Sequence, residues 1–295
     1  MRIFVTGATG FVGSAVVREL INAGHQVVGL ARTQASAQQL ISSGAAVHQG
    51  DLTDIASLQR GAALADGIIH TGFNHDFSRF RESCEQDRQA IEAMGAALEG
   101  SDRPFIVTSG VILGSRGNGA PATEAYFNAD SLIPRKATEL AADAVAQRGV
   151  RVSVVRLPQV HNTLKQGLIS ELIQLARQTG ISAYREDGLN RWSAVHISDA
   201  ARLYRLALEQ SDPGRRYHAV AEEGIALRAL AEVTGRGLGI PAVSLTAEQA
   251  TAHFGWLNSF ISHDMSASSL LTQQLLGWQP QGPSLIADLE QMRYR

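Results

Sequence analysis

The feature that most constrains this chain is a glycine-rich stretch close to its first residue. It reads TGATGFVG over residues 6–13 and directly follows the short apolar run Ile3–Val5. Val12, Val16 and Leu20 then recur every four residues, which predicts one apolar face of a helix. A strand, a tight glycine turn and a helix in this order form the phosphate-binding unit of dinucleotide-binding folds.

Each glycine of this stretch has an expected task. Gly7 allows the tight turn, Gly10 lets the backbone approach a pyrophosphate, and Gly13 lets the helix lie close to the strand. The helix N-terminus offers free N–H groups and a partial positive charge to phosphate. A connection without a ligand is the alternative, and the strand–turn–helix context disfavours it. The residues predicted to bind the cofactor here are Gly7, Thr9, Gly10, Phe11, Val12 and Gly13.

The rest of the first half alternates short apolar runs with helical patterns, which predicts a Rossmann-type α/β fold with a doubly wound parallel sheet. After Pro158 the alternation loosens, and we expect a smaller C-terminal substrate-binding lobe over the carboxyl edge of the sheet. The predicted domains are 1–157, which returns near 190–220, and 158–295. The predicted strands are 3–5, 26–31, 45–48, 68–70, 105–108 and 152–155, and the longer predicted helices are 79–99 and 136–147.

The end of the second strand indicates which dinucleotide is bound. An acidic residue there would bind the ribose hydroxyls of NAD, but the strand ends Gly29-Leu30-Ala31-Arg32. An arginine at this place can pair with a 2′-phosphate. We therefore predict NADP(H), with NAD(H) as the alternative and a solvated surface charge as the other interpretation of Arg32.

Composition excludes several other classes of protein. The net charge of −2 offers no basic surface for nucleic acid, and Cys84 is the only cysteine, so neither an internal disulfide nor a cysteine metal cluster is expected. No apolar run reaches the ~20 residues of a membrane helix. We expect a cytoplasmic protein without a signal peptide, a metal site, a membrane anchor or a nucleic-acid partner.

Further motifs of this chain resemble those of the extended short-chain dehydrogenase/reductase family, which is the epimerase/dehydratase-like group. The resemblance is greatest to the atypical branch of this family. The motifs are Asp51-Leu52 after the third strand, Val195–Asp199, Tyr217–Val220, and Leu276–Pro280 near the C-terminus. The resemblance implies that Asp51 binds the adenine amino group, although Asp51 also suits a helix cap. Further cofactor contacts implied by the resemblance are Leu52, His70, Thr71, Gly72, Thr108, Lys136, Pro158 and Val160.

Family members use a serine or threonine, a tyrosine, and a lysine four residues after the tyrosine. A nearby lysine cation lowers the tyrosine pKa from about 10 toward the working range. Ser109 matches the serine, since Gly114 follows it by five residues. Lys136 is the candidate lysine, but Leu132 stands four residues before it. Taking Arg135 instead leads back to Ser131, so the tyrosine is absent from its usual place.

Other groups remain as candidates for the proton transfer. They are Tyr126 in a predicted loop, and the imidazoles of His75 and His161, which follow strands at the edge that carries the site. Arg191 matches the region where nucleotide-sugar relatives pair an arginine with a substrate phosphate. Aromatic side chains of the second lobe serve either as core or as walls of an apolar pocket; they are Tyr184, Trp192, Phe254, Trp256 and Phe260, together with His253.

Three functions follow from these observations. The leading one is an NADP(H)-dependent oxidoreductase that acts on a small carbonyl or alcohol. The alternatives are a nucleotide-sugar epimerase or dehydratase, and a non-catalytic NADP(H) sensor that binds a partner protein. The resemblance also implies a homodimer through the helices near 79–99 and 136–147.

Overall fold

The computed structural model describes residues 1–294 and places twelve strands within them. In chain order the strands are β1 Arg2–Thr6, β2 Gln26–Ala31, β3 Ala46–Gln49, β4 Gly67–His70, β5 Pro104–Gly110, β6 Arg151–Leu157, β7 Gln159–His161, β8 Ser182–Arg185, β9 Arg191–His196, β10 Arg216–His218, β11 Glu222–Ala226 and β12 Ala242–Leu245.

Helices follow most of these strands. They are α1 Phe11–Asn22, α2 Gln34–Ser42, α3 Ile55–Ala63, α4 Phe80–Ala96, α5 Lys136–Gln147, α6 Ile169–Thr179, α7 Ile197–Gln210, α8 Leu227–Leu238, α9 Ala247–Phe254, α10 Asn258–Ile261, α11 Leu270–Leu276 and α12 Leu285–Gln291. Short 3-10 turns occur at Phe77–Arg79, Val111–Gly114 and Gly255–Leu257.

The central sheet has seven parallel strands in the order β3-β2-β1-β4-β5-β6-β10. The order reverses between β1 and β4, which is where doubly wound sheets open a crevice for a ligand. The predicted fold class is therefore confirmed. β10 joins this sheet although it follows much of the lobe in sequence, and α7 packs against α1.

Alternation along each strand builds a core on either face of the sheet. In β1, Ile3 and Val5 face the core formed with α1, α2 and α7, whereas Phe4 faces the core formed with α3, α4 and α5. This pattern is expected of a strand buried on both faces. The helices packed on the two faces of the sheet hold the strands in fixed register. The carboxyl ends of the strands, where the site lies, therefore keep fixed positions.

The remaining elements form a lobe with its own core. Strands β11-β9-β7 make one small sheet, and β12-β8 make another. Trp192 and Phe254 are buried in the core of this lobe, and Phe254 also borders a small apolar cavity beside His253. Ile169, Leu227, Leu230, Leu257 and Leu285 pack in the same core.

Candidate functional site

The glycine turn after β1 has the conformation that its sequence predicts. Gly7 has φ +64°, a backbone conformation that favours glycine. Gly10 N donates to Gly7 O at 2.8 Å, which closes the turn. A methyl group on Gly13 would lie 2.0 Å from Gly7 O, so only glycine allows α1 this close to the turn.

The turn lies directly against the end of β4. A methyl group on Gly7 would meet Gly72 N at 2.6 Å. Thr71 Oγ1 donates to Thr6 O at 2.8 Å, and Gly72 N donates to Thr6 Oγ1 at 3.2 Å. The two strands on either side of the crevice are thus joined where a pyrophosphate would cross.

The N-terminus of α1 is open toward this crevice. Its cap residue Gly10 is exposed and extended, and within residues 1–294 no side chain caps the helix. The N–H groups of the first turn, from Phe11 onward, therefore remain available to an anion. Thr9 is half-buried beside them. This arrangement fits a dinucleotide pyrophosphate.

Arg32 and Asp51 mark the neighbouring ends of β2 and β3. The Arg32 side chain is 78% exposed, and its Nη1 lies 3.8 Å from Asp51 Oδ2. Asp51 accepts from Thr53 N at 2.9 Å and does not cap α3, because Asp54 holds the cap position and accepts from Ser57 N. The helix-cap interpretation of Asp51 is therefore wrong.

Leu52 and His70 lie at the carboxyl end of β4. A methyl group on Gly72 would lie 2.8 Å from Leu52 Cδ2, so Leu52 packs against the end of β4. His70 is buried, with Nδ1 2.6 Å from Thr6 Oγ1 and Nε2 3.1 Å from Asp87 Oδ1. Because a carboxylate only accepts, His70 donates from Nε2 to Asp87.

Asp87 on α4 is the centre of a buried polar group. Thr138 Oγ1 donates to Asp87 Oδ2 at 2.5 Å, and Arg135 Nη1 lies 3.1 Å from the same oxygen. Burial alone would raise the pKa of Asp87, but the Arg135 cation and the hydrogen bond with His70 hold it below its ordinary value. Asp87 is therefore a carboxylate in the folded protein. Asp87 has no signal in the sequence, because a single aspartate within a helical pattern has no distinguishing spacing.

Arg135 is a cation that reaches the carboxyl edge of the sheet. Its Nη2 donates to Thr108 O at 2.9 Å, and its guanidinium lies 3.8 Å from the centre of the Phe73 ring. Lys136, the first residue of α5, is half-buried, and its side chain makes no hydrogen bond or ion pair within residues 1–294. The predicted lysine is thus one residue away from the side chain that enters the site.

The hydroxyl groups at the end of β5 are both engaged within the protein. Ser109 Oγ donates to Glu139 Oε1 at 2.8 Å and is buried. Thr108 Oγ1 donates to His70 O at 2.7 Å and lies equally close to the Tyr204 hydroxyl. The two side chains alternate along the strand, so they project to opposite faces of the sheet.

Glu139 is the centre of a second buried network of charged side chains, next to Ser109. Arg156 donates to both of its carboxylate oxygens at 2.8 Å, and Arg216 Nε donates to Glu139 Oε2 at 2.7 Å. Burial would raise the Glu139 pKa, but the two guanidinium groups and Ser109 hold it below its ordinary value. The next partner is His218, whose Nε2 lies 3.1 Å from Arg156 Nη1.

The three candidates for the proton transfer that the missing tyrosine would perform lie in different surroundings. The Tyr126 ring packs under Arg116, 4.2 Å from its guanidinium carbon. His161 is fully buried, and its Nδ1 lies 2.6 Å from Asp288 Oδ2. His75 lies in the exposed loop after β4, near Arg135. Partial enclosure and the Arg135 cation lower the pKa of His75.

The other predicted contacts lie in β7, in β9 and in the turn before β7. Pro158 is half-buried between β6 and β7, and Val160 is buried within β7. Arg191 Nε donates to Asp264 Oδ2 at 3.0 Å, so its guanidinium already has a carboxylate partner.

Two of the remaining motifs, Val195–Asp199 and Leu276–Pro280, contact each other. Asp199 accepts from Gln281 N and Gly282 N, and the Trp278 indole donates to Asp199 O at 3.0 Å. Together they fix the C-terminal segment against α7. No helix within residues 1–294 has both the length and the apolar character to cross a membrane.

Comparisons with known proteins agree with this geometry. Residues 7–186 match the family model described as NAD(P)H-binding. An uncharacterized protein of Schizosaccharomyces pombe is 46% identical over 295 residues, which is 100% of each chain. A 2-alkyl-3-oxoalkanoate reductase of Stenotrophomonas maltophilia is 27% identical and aligns with 86% of this chain and 80% of its own.

Among solved structures, dTDP-glucose 4,6-dehydratase (DesIV) from Streptomyces venezuelae, with NAD and TYD bound, superimposes with a TM-score of 0.79. The alignment covers 100% of this chain and 96% of the dehydratase at 21% identity, so it shows a shared fold. With the glycine turn, the parallel sheet and the family match together, the chain belongs to the NAD(P)H-binding family, and it shares its fold with the nucleotide-sugar dehydratase.

Proposed function

We propose that the protein is an NADP(H)-dependent reductase of small carbonyl compounds. The observation that carries this proposal is the Arg135 guanidinium, held by Asp87 and the Thr108 carbonyl at the carboxyl edge of the sheet. A fixed cation at this edge would stabilise the negative charge that develops on a carbonyl oxygen during reduction. When bound, NADPH supplies the hydride to the carbonyl carbon.

Arg135 can hold charge but cannot donate the proton, since a guanidinium stays protonated in proteins. His75 is the imidazole of the adjacent loop, and its lowered pKa leaves it neutral near pH 7. We therefore assign the proton that the carbonyl oxygen gains to solvent, with His75 as a relay. Lys136 remains a candidate donor to the ribose hydroxyls of the cofactor.

The preference for NADP(H) is supported by the end of β2. Arg32 is mostly exposed and its charged neighbour Asp51 is 3.8 Å away, so the guanidinium can turn toward a 2′-phosphate. The N-terminus of α2 begins two residues later at Gln34 and adds a partial positive charge at the same place. A carboxylate that would select NAD is not found at the end of this strand.

The test is a panel of aldehydes and ketones incubated with NADPH and, separately, with NADH. We expect turnover of at least one carbonyl class with NADPH and weaker turnover with NADH. Failure of every carbonyl in both directions of the reaction would reject the reductase proposal. Faster reduction with NADH would reject the assigned cofactor preference alone.

Two alternatives fit less of the structure. A nucleotide-sugar enzyme would need a cation for the substrate diphosphate, but Arg191 is paired with Asp264. A non-catalytic sensor is favoured by one observation, the engagement of Ser109 and Thr108 within the protein. A pull-down in which partner proteins differ between NADP and NADPH, without carbonyl turnover, would favour the sensor.

A further inference from the structure

Five aromatic side chains from two distant segments meet at the surface beside the site. Phe73, Phe77 and Phe80 come from the stretch after β4, and Trp256 and Phe260 come from the lobe. We call this group the aromatic cluster. Phe77 stacks on Trp256 with ring centres 4.7 Å apart and an interplanar angle of 17°. Phe260 meets both rings edge-on, at 6.2 and 6.1 Å.

The exposure of this cluster is unusual for such large apolar groups. Trp256 is 46% exposed, whereas Trp192 and Trp278, the other two tryptophans, are fully buried. The four phenylalanines of the cluster are half-buried. A contiguous group of partly exposed aromatic rings commonly marks a binding surface, and flat rings favour stacked or edge-on partners.

The cluster is continuous with the candidate active site. Phe80 lies 6.1 Å from Phe73, and Phe73 carries the Arg135 guanidinium on its face at 3.8 Å. A path of touching groups thus leads from the cation at the sheet edge, through Phe73 and Phe80, to Phe77 and Trp256. A molecule whose carbonyl lies at Arg135 would extend its other end along this path.

We propose that the aromatic cluster binds the planar, conjugated part of the substrate, so that the preferred substrates are aromatic or otherwise flat carbonyl compounds. This inference rests on the proposed carbonyl reduction and names its substrate class. Because the two halves of the cluster come from different segments, a ring bound there would also hold the loop after β4 against the lobe. Saturated carbonyl compounds of equal size gain the apolar contact but not the stacking.

The experiment compares benzaldehyde with cyclohexanecarbaldehyde, which have the same carbonyl group and similar size but differ in ring planarity. Both are measured with NADPH on the wild type and on Trp256→Leu and Phe77→Leu, which keep apolar volume and remove the flat ring. Leu189→Ala, an exposed apolar residue of the lobe outside the cluster, is the control. Unfolding midpoints confirm that each variant folds.

In both cluster variants we expect kcat/KM for benzaldehyde to fall about three- to tenfold relative to that for cyclohexanecarbaldehyde. The ratio should not change in Leu189→Ala. An equal loss for the two aldehydes would overturn the inference, because it would show that the cluster only fixes the loop to the lobe.

A binding measurement separates this inference from the proposed reaction. Calorimetric titration of the NADP-loaded protein should show tighter binding of benzaldehyde than of cyclohexanecarbaldehyde, and Trp256→Leu should abolish the difference. If that difference is found without turnover, the aromatic site stands and the reductase proposal fails. If both aldehydes bind alike in the wild type, the aromatic site is rejected even where turnover is observed.

Discussion

Asp87 Oδ2 lies 3.1 Å from Arg135 Nη1, and Asp87 Oδ1 lies 3.1 Å from His70 Nε2. Since His70 is also bonded to Thr6, a chain of side chains runs from the glycine turn to the cation at the edge of β5. Asp87 thereby fixes Arg135 relative to the cofactor-binding loop. A charge that is held in place before reaction stabilises a developing charge without a cost of reorganisation.

Replacing Arg32 tests the choice of cofactor. Arg32→Ala removes the cation proposed to meet the 2′-phosphate, and an ion pair of this kind is worth about 1.5–3 kcal/mol. We expect the Kd for NADPH to rise about tenfold or more, and the Kd for NADH to change less than about twofold. Fluorescence titration with both cofactors measures this. Arg60→Ala, an exposed arginine in the last turn of α3, should alter neither constant.

Glu139 is predicted to be a determinant of stability. Glu139→Gln leaves the fully buried Arg156 without its carboxylate, which typically costs about 3–5 kcal/mol. Urea unfolding at pH 7 measures the loss. Glu85→Gln is the matched control, because Glu85 is an exposed partner of Arg88 within α4 and such pairs contribute about 0–1 kcal/mol. Equal effects of the two substitutions would refute the role assigned to the buried network.

His218 predicts a pH dependence of stability. Burial, together with the Arg156 cation, lowers the pKa of His218 from 6.5 to about 3. The imidazole is therefore neutral in the folded protein while the unfolded chain takes up a proton below pH 6.5, so the free energy of unfolding falls as the pH decreases between these values. His218 changes the free energy of unfolding by at most about 1.4 kcal/mol per pH unit.

The variant His218→Asn keeps a donor and an acceptor and removes the titration. Between pH 7 and pH 5 its free energy of unfolding should fall less steeply than that of the wild type. His263→Asn, at an exposed histidine, should keep the wild-type slope. A slope unchanged by His218→Asn would contradict the assignment.

The alternation of short apolar runs with helical patterns predicted much of the Rossmann part correctly. The bounds of β2 and α5 agree with the sequence prediction to the residue, and the other predicted strands differ by at most two residues at an end. The sequence pattern gives helix α3 no bounds, since the helix is only nine residues long and its apolar positions are Ile55, Leu58 and alanines. Gly24, Gly44 and Gly149 follow helix ends and have positive φ, as glycines at this position commonly do.

The charge networks could not be predicted from sequence. Asp87 and Glu139 are carboxylates within helices, and helical charges usually face solvent. Their partners Arg135, Arg156 and Arg216 come from other elements, so only the packed structure brings them together. For the same reason, sequence spacing favoured Lys136, whereas the fold directs the neighbouring Arg135 to the sheet edge. The stacking contact between Phe77 and Trp256 likewise depends on the tertiary structure.

The most direct test of the central claim compares Arg135→Gln with Lys136→Gln in NADPH-dependent carbonyl reduction. We predict that Arg135→Gln lowers kcat/KM by about 10²–10³-fold, as removal of a group that stabilises an oxyanion does. Lys136→Gln should act mainly on the affinity for NADPH and leave kcat within about threefold of the wild type. A large loss of kcat in Lys136→Gln, with near-normal reduction by Arg135→Gln, would contradict the account.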